Sequence, residues 1–129
     1  YMEIKLKISI LIPVHNEILS LETCISRVYK VMKTLLLPYE IIFVDDGSKD
    51  GSAEFIEKQK QYIAHIKLIK LSRNFGKEAA LTAGIDHADG DAVIIMDADC
   101  QDPPELIPKM LVEWQNGYDV VLMRRRNRR

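Results

Sequence analysis

The sequence is poor in the features that would set a chain apart from ordinary globular enzymes. Two cysteines, Cys24 and Cys100, are its whole thiol complement in 129 residues. They are far apart and lack metal-ligand spacing, so reduced thiols in a cytosolic setting are expected. Cys24 reads as a core residue. No apolar run reaches the roughly 18 residues that a membrane span needs, and the start Tyr1-Met2-Glu3-Ile4-Lys5 has no secretory-signal pattern. The chain as it stands is expected to be soluble. Two nucleotide-binding motifs are also missing. There is no Gly-x-x-x-x-Gly-Lys followed by Ser or Thr, and no Gly-x-Gly-x-x-Gly after the first apolar strand. His65 and His87 read as surface or helix-end residues. Length and composition allow one compact domain with a substantial core and show no repeat or low-complexity linker.

Charge of one sign is scarce overall and concentrated locally. The net charge is −1, from 18 basic and 19 acidic residues. Five of the basic residues are Arg124, Arg125, Arg126, Arg128 and Arg129, which leaves 13 against the same 19 acids in the rest of the chain. Such a cluster can meet phosphates, acidic lipid headgroups or nucleic acid, or be a solvated tail. It follows an apolar strand with no terminating element, so the expected boundary lies inside a larger domain. An unfinished sheet edge there leaves a homo-oligomer open.

What is present is an alternation of β-branched apolar runs with segments of helical periodicity, the pattern of βαβ units around a mainly parallel sheet. Strands are expected at Ile8 to Pro13, Glu40 to Asp45, Ile66 to Leu71, Ala92 to Asp97 and Asp119 to Met123. Helices are expected at Ser20 to Leu36, Ser52 to Tyr62, Gly76 to Ala88, and from Pro103-Pro104 to about Gln115. The first helix sets Leu21, Cys24, Ile25, Val28, Val31, Met32 and Leu35 on one face, and Pro38 follows its end.

In open α/β sheets, ligands gather at the carboxyl ends of strands. Four polar clusters occupy those ends: Pro13-Val14-His15-Asn16-Glu17, Asp45-Asp46-Gly47-Ser48, Ser72-Arg73-Asn74-Phe75-Gly76-Lys77, and Asp97-Ala98-Asp99. The last is the most informative, because an apolar strand ends in two carboxylates one residue apart. Hard carboxylate oxygens suit Mg²⁺ or Mn²⁺, whose remaining positions are commonly filled by water and substrate phosphates. An isolated Asp-x-Asp is usually a solvated turn; here its position beside the other clusters gives it weight. Arg73 and Lys77 flank Gly76 at an expected helix start, a natural anion site. Gly47 and Gly51 allow a tight turn, and Asp45 at its strand end is placed to accept a hydrogen bond from a base. A receiver-like Mg²⁺-binding signalling domain shares this general layout. It would carry its acidic pair after the first strand and a lysine after the fifth, where this chain has Pro13-Val14-His15-Asn16-Glu17 and arginines. A noncatalytic nucleotide-binding module is a further alternative.

In order and spacing, these clusters, extended through Asp50-Gly51-Ser52, Glu78-Ala79-Ala80 and Cys100-Gln101-Asp102-Pro103-Pro104-Glu105, resemble glycosyltransferase family 2. The polyprenyl-phosphate glycosyltransferases, such as bactoprenol glucosyltransferases and dolichol-phosphate mannose synthases, are the most similar branch. The resemblance covers nearly the whole chain and implies a GT-A fold, a Rossmann-like, doubly wound α/β architecture with helices on both faces of the sheet. It implies a nucleotide-sugar site drawing on Pro13, Val14, His15, Glu17, Asp45, Asp46, Arg73, Lys77, Asp97, Ala98 and Asp99, with Asp45 reading the base and Arg73 and Lys77 near the diphosphate. Asp97 and Asp99, assisted by Gln101, would hold Mg²⁺ or Mn²⁺. His15 stands where tyrosine is often found. The family's activity is inverting sugar transfer, here with UDP-glucose as the favoured donor and a polyprenyl phosphate as acceptor. No nucleic-acid partner is expected. The catalytic carboxylate, acceptor-binding elements and often membrane segments of the family lie after the region where this chain ends, and the resemblance implies a full-length protein at the cytoplasmic side of the membrane. The 129 residues alone are therefore expected to transfer sugar poorly or not at all.

Overall fold

A computed structural model describes residues 6–115 and 121–122. The strands are β1 (Ile8–Val14), β2 (Tyr39–Asp45), β3 (Ile66–Lys70), β4 (Ala92–Ile95) and β5 (Val121–Leu122). They form one sheet in the order β3-β2-β1-β4-β5, and every adjacent pair is parallel. The helices are α1 (Ile18–Leu35), α2 (Ser52–Gln59), α3 (Lys77–Asp86) and α4 (Ile107–Gln115), the last entered through a 3₁₀ turn at Pro104–Leu106. This α/β arrangement agrees with the expected fold class. The chain order reverses at β1, between β2 and β4, where an open parallel sheet leaves a crevice at its carboxyl edge.

The period-2 alternation of the strands divides the core into two layers. Ile8, Ile10, Ile12 and Val14 of β1 share one face with Ile41 and Phe43 of β2, and Leu21, Cys24, Ile25, Val28 and Met32 of α1 pack there. Leu11, Ile42 and Val44 point the other way and meet Ala80 of α3. Both faces of the central strands are thus dry, which is why β1 and β2 read as nearly continuous apolar runs rather than alternating ones. Gly84 permits the tight approach of α3, since a Cβ there would strike the Leu11 side chain.

Two polar residues occupy inward positions of these strands. Ser9 and Glu40 are 0% and 2% exposed, and they share a hydrogen bond of 2.6 Å from Ser9 Oγ to Glu40 Oε2. The Asp89 N–H donates to the same carboxylate oxygen at 2.7 Å, and Lys67 Nζ lies 2.7 Å from Oε1. The buried charge is therefore paired and hydrogen-bonded, as its desolvation requires. This network ties β1, β2, β3 and the loop before β4 together at the end of the sheet opposite the polar strand-end clusters.

Element boundaries differ slightly from the sequence expectations. Helix α1 begins two residues early because the next loop caps it: Asp50 Oδ2 accepts from Ile18 N–H at 3.0 Å and Ser52 Oγ accepts from Glu17 N–H at 3.0 Å. It ends at Leu36 in the left-handed conformation (φ 57°), ahead of Pro38. Strand β4 stops at Ile95 rather than Asp97, although the Met96 N–H still donates to the Leu11 carbonyl at 3.0 Å. In the fifth strand, Asp119, Val120 and Met123 lie outside the described residues. Among the described residues, no helix is long and apolar enough to cross a membrane.

Candidate nucleotide-sugar site

The turns after β1, β2, β3 and β4 enclose a cleft of about 420 Å³ at the carboxyl edge of the sheet, a size that suits a small-molecule ligand. Its floor and walls include Pro13, Val14, His15 and Glu17 from the first turn, Asp46 from the second, Asn74, Gly76 and Lys77 from the third, and Asp97, Ala98 and Asp99 from the fourth. Most residues singled out from the sequence thus converge on one site. Asp45, Arg73 and Gln101 do not line it.

Strand alternation separates Asp45 from Asp46. Asp45 continues the face of Ile41 and Phe43, away from α3, whereas Asp46 continues the face of Ile42 and Val44, toward α3 and the cleft. Asp45 is 3% exposed, and its Oδ2 accepts from Ser48 N–H at 3.1 Å, an Asx-type contact that closes the turn. Asp46 accepts from Phe75 N–H at 2.8 Å and Gly76 N–H at 2.9 Å, so it fastens the second turn to the start of α3. Gly47 makes this approach possible. It holds φ at 73°, and a Cβ there would lie 2.5 Å from both Arg73 C and Asn74 N.

Asn74 gained no individual role from the sequence, yet it helps to build the wall of the cleft. The Asp46 carbonyl accepts from His15 Nδ1 at 2.8 Å, which fixes the proton on that nitrogen. Nε2 is then the acceptor for Asn74 Nδ2 at 2.9 Å. The ring of His15 is thereby locked between two turns and separates the cleft from a neighbouring hollow lined by Asp45, Ser48, Lys49 and Arg73. Arg73 stacks over the ring of Phe75 at 4.7 Å from its centroid, an arrangement typical of guanidinium groups.

Among the described residues, Glu17, Asp46, Asp97 and Asp99 line the cleft, and Lys77 is the one Lys or Arg that does so. Lys77 Nζ lies 2.8 Å from Asp97 Oδ1. Burial pushes the Glu17 carboxyl above its ordinary range; the Ser20 hydroxyl opposes this, while Asp99, Asp97 and Asp50 reinforce it. Among the described residues, no group of three or more His, Cys, Asp or Glu side chains forms a metal-binding cluster by itself. The donor set instead matches a hard divalent cation that shares its shell between two carboxylates, water and ligand phosphates. Gln101 is exposed and reaches Asp99 through its backbone N–H, 3.2 Å from Oδ1.

Cys100 adjoins this carboxylate pair with φ at 58°. A hydrogen bond from Cys24 lowers its thiol to about 7 against the effect of partial burial, while Cys24 itself, in the core, is pushed up. Behind them, Arg27 on α1 forms a forked pair with Glu105, at 3.2 Å from Nε and 2.5 Å from Nη2, which anchors the segment following Asp99 to α1.

The sequence pattern of Glycosyl transferase family 2 matches residues 9–129, nearly the whole chain including all four turns. The chain belongs to this family. An uncharacterized glycosyltransferase of Synechocystis sp. is 50% identical over 95% of this chain and 39% of its own length. The undecaprenyl-phosphate 4-deoxy-4-formamido-L-arabinose transferase of Proteus mirabilis is 48% identical over 95% of this chain and 38% of its own. The chain therefore spans roughly two-fifths of these relatives. Among solved structures, the mannosyltransferase PcManGT from Pyrobaculum calidifontis, in complex with GDP-Man and Mn²⁺, superposes with a TM-score of 0.71 at 24% identity, covering 86% of this chain and 32% of that one. At that identity the likeness shows the fold, which is GT-A-like. As a family 2 member the chain is related to polyprenyl-phosphate sugar transferases, and its fold is shared with a structure that holds a nucleotide sugar.

Proposed function

We propose that this chain is the donor-binding part of a longer inverting glycosyltransferase that moves a sugar from a UDP-linked donor to a polyprenyl phosphate at the cytoplasmic side of a membrane. The observation that carries the reading is the convergence of Asp97, Asp99, Glu17 and Lys77 on one cleft at the switch point of the sheet. Such a set suits a diphosphate accompanied by a divalent cation and has no obvious use as an acid–base pair. A glycosidase would need carboxyls flanking a scissile bond about 5–9.5 Å apart, whereas Asp97 and Asp99 lie on one turn.

In this reading Asp97 and Asp99 hold Mg²⁺ or Mn²⁺, which when bound offsets the charge that builds on the departing nucleoside diphosphate. Mn²⁺ in the PcManGT complex supports a divalent cation of this kind. Lys77, at the amino end of α3, lies where that end and its own ammonium favour the same anion. His15 and Pro13 line the base and ribose end, and Asp46, the carboxylate that faces the cleft, takes the base-reading role first expected of Asp45. Arg73 acts from outside the cleft, by bracing Phe75. The acceptor's phosphate oxygen forms the new bond to the anomeric carbon as the bond to the diphosphate breaks on the opposite face, which inverts the configuration. The chain spans 38% of the Proteus relative's length, and the groups that activate and seat the acceptor are assigned to the part of the longer protein that it does not span.

The names of the relatives support an undecaprenyl phosphate acceptor and favour a modified arabinose as a second reading of the sugar. The test is transfer by the full-length protein from radiolabelled UDP-sugars to undecaprenyl phosphate. Lipid-linked product that needs Mn²⁺ or Mg²⁺, and that falls at least about a hundredfold in Asp97→Asn and Asp99→Asn, is the expected result, given the weight of charge stabilisation in such reactions. Full transfer in both variants would reject the assignment.

A further inference from the structure

The Lys77–Asp97 contact raises a question of order in binding, and its answer rests on the metal-dependent donor site proposed above. Lys77 and Asp97 both line the cleft, and the lysine ammonium cannot serve an arriving nucleoside diphosphate while it is held 2.8 Å from Asp97. Asp97 is the more enclosed partner, with its side chain 20% exposed against 54% for Lys77. The mobile end of the pair is therefore the lysine, whose flexible stem begins at the first residue of α3, directly after Gly76 at φ 106°.

We propose that Lys77 is a placeholder cation, seated on Asp97 until a divalent cation arrives with the donor and then released to the diphosphate. The ammonium and a metal ion compete for one carboxylate. Lys77 thus opposes binding of the metal alone and assists binding of the metal–donor pair. A positioning residue with a single, purely favourable contact would not produce effects of opposite sign. The arrangement keeps the Asp97 charge compensated until the metal arrives and makes occupancy by metal and by donor mutually supportive. Because the pair is partly exposed, each effect is modest and weakens as salt is added.

The test uses the purified full-length protein and two titrations on the wild type, Lys77→Met, Lys77→Arg and Asp97→Asn. Free Mn²⁺ is followed by electron paramagnetic resonance without nucleotide, and UDP and GDP are titrated calorimetrically at saturating Mn²⁺. Lys77→Met is expected to bind Mn²⁺ alone about two- to fivefold more tightly than the wild type, with the gain shrinking at high salt. The same variant is expected to bind the nucleoside diphosphate at least about fivefold more weakly, while Lys77→Arg stays near the wild type in both. Shifts of both affinities in one direction would overturn the placeholder role and leave the donor site standing. So would an unchanged Mn²⁺ affinity in Lys77→Met when Asp97→Asn has lost it. Absence of Mn²⁺ binding by every protein, with nucleotide present as well, would overturn both.

Discussion

Asp45 and Asp46 are chemically identical neighbours whose positions differ by one step of strand alternation. That step sends Asp45 toward Ser48 and Asp46 into the cleft, where it also accepts two N–H groups at the start of α3. The two asparagine variants should therefore separate. Asp46→Asn keeps one acceptor oxygen and sets an amide NH2 against the other of the Phe75 and Gly76 N–H donors, and it is expected to weaken UDP-sugar binding about ten- to a hundredfold, the range for a buried donor left without its acceptor. Asp45→Asn is expected to change donor affinity by less than about twofold while lowering the melting temperature, because its contacts serve the turn. Calorimetry beside thermal unfolding distinguishes the two, and the reverse pattern would return the base-reading role to Asp45. The doublet in the sequence could not resolve this, because alternation is hard to extend past the last strand residue into a turn. Asn74 was harder still to find. Its partner His15 lies 59 positions away, and only the crossing of two loops brings them together.

Among elements, the sheet and helices were largely legible. Period-2 and period-3.6 patterns in β1, β2 and α1 are strong because both sheet faces are buried and one stripe of the helix is. The ends were less so. The start of α1 is set by Asp50 and Ser52 in another loop, a cap that no local sequence signal records. Glu40 was likewise read as a strand residue with no partner in view. In the folded protein, burial pushes its carboxyl up, but Lys67, Ser9 and the Asp89 N–H outweigh this and hold it below the ordinary value of 4.5. A carboxyl held low stabilises the fold above its unfolded pKa, and that contribution is lost as pH falls through the lower, folded value. Acid should accordingly loosen the tie among β1, β2 and β3. Lys67→Met is expected to cost about 1–2 kcal/mol at pH 7, less than a fully buried pair, because Lys67 is 41% exposed. The variant should also lose less stability than the wild type between pH 6 and pH 3. Urea unfolding across that range checks both, and identical acid slopes would remove Lys67 from the cause.

For the whole molecule, the sheet order β3-β2-β1-β4-β5 explains why motifs spread from Pro13 to Asp99 form one site. Parallel strands deliver all their carboxyl ends to the same edge, and the reversal at β1 opens the crevice between the turns. The four clusters were visible in the sequence as strand ends, and their convergence followed from the fold class. The ion pair across the cleft and the separation of Arg73 from it did not, since both depend on side-chain direction. The central claim is that this edge binds a nucleotide sugar together with a divalent cation. It is tested most directly by calorimetric titration of the full-length protein with UDP-glucose, UDP, GDP-mannose and GDP, each with Mn²⁺ or with EDTA. Binding of the uridine ligands that requires Mn²⁺ and disappears in Asp97→Ala and Asp99→Ala is the expected result. Equal binding in EDTA, or binding untouched by both substitutions, would contradict it.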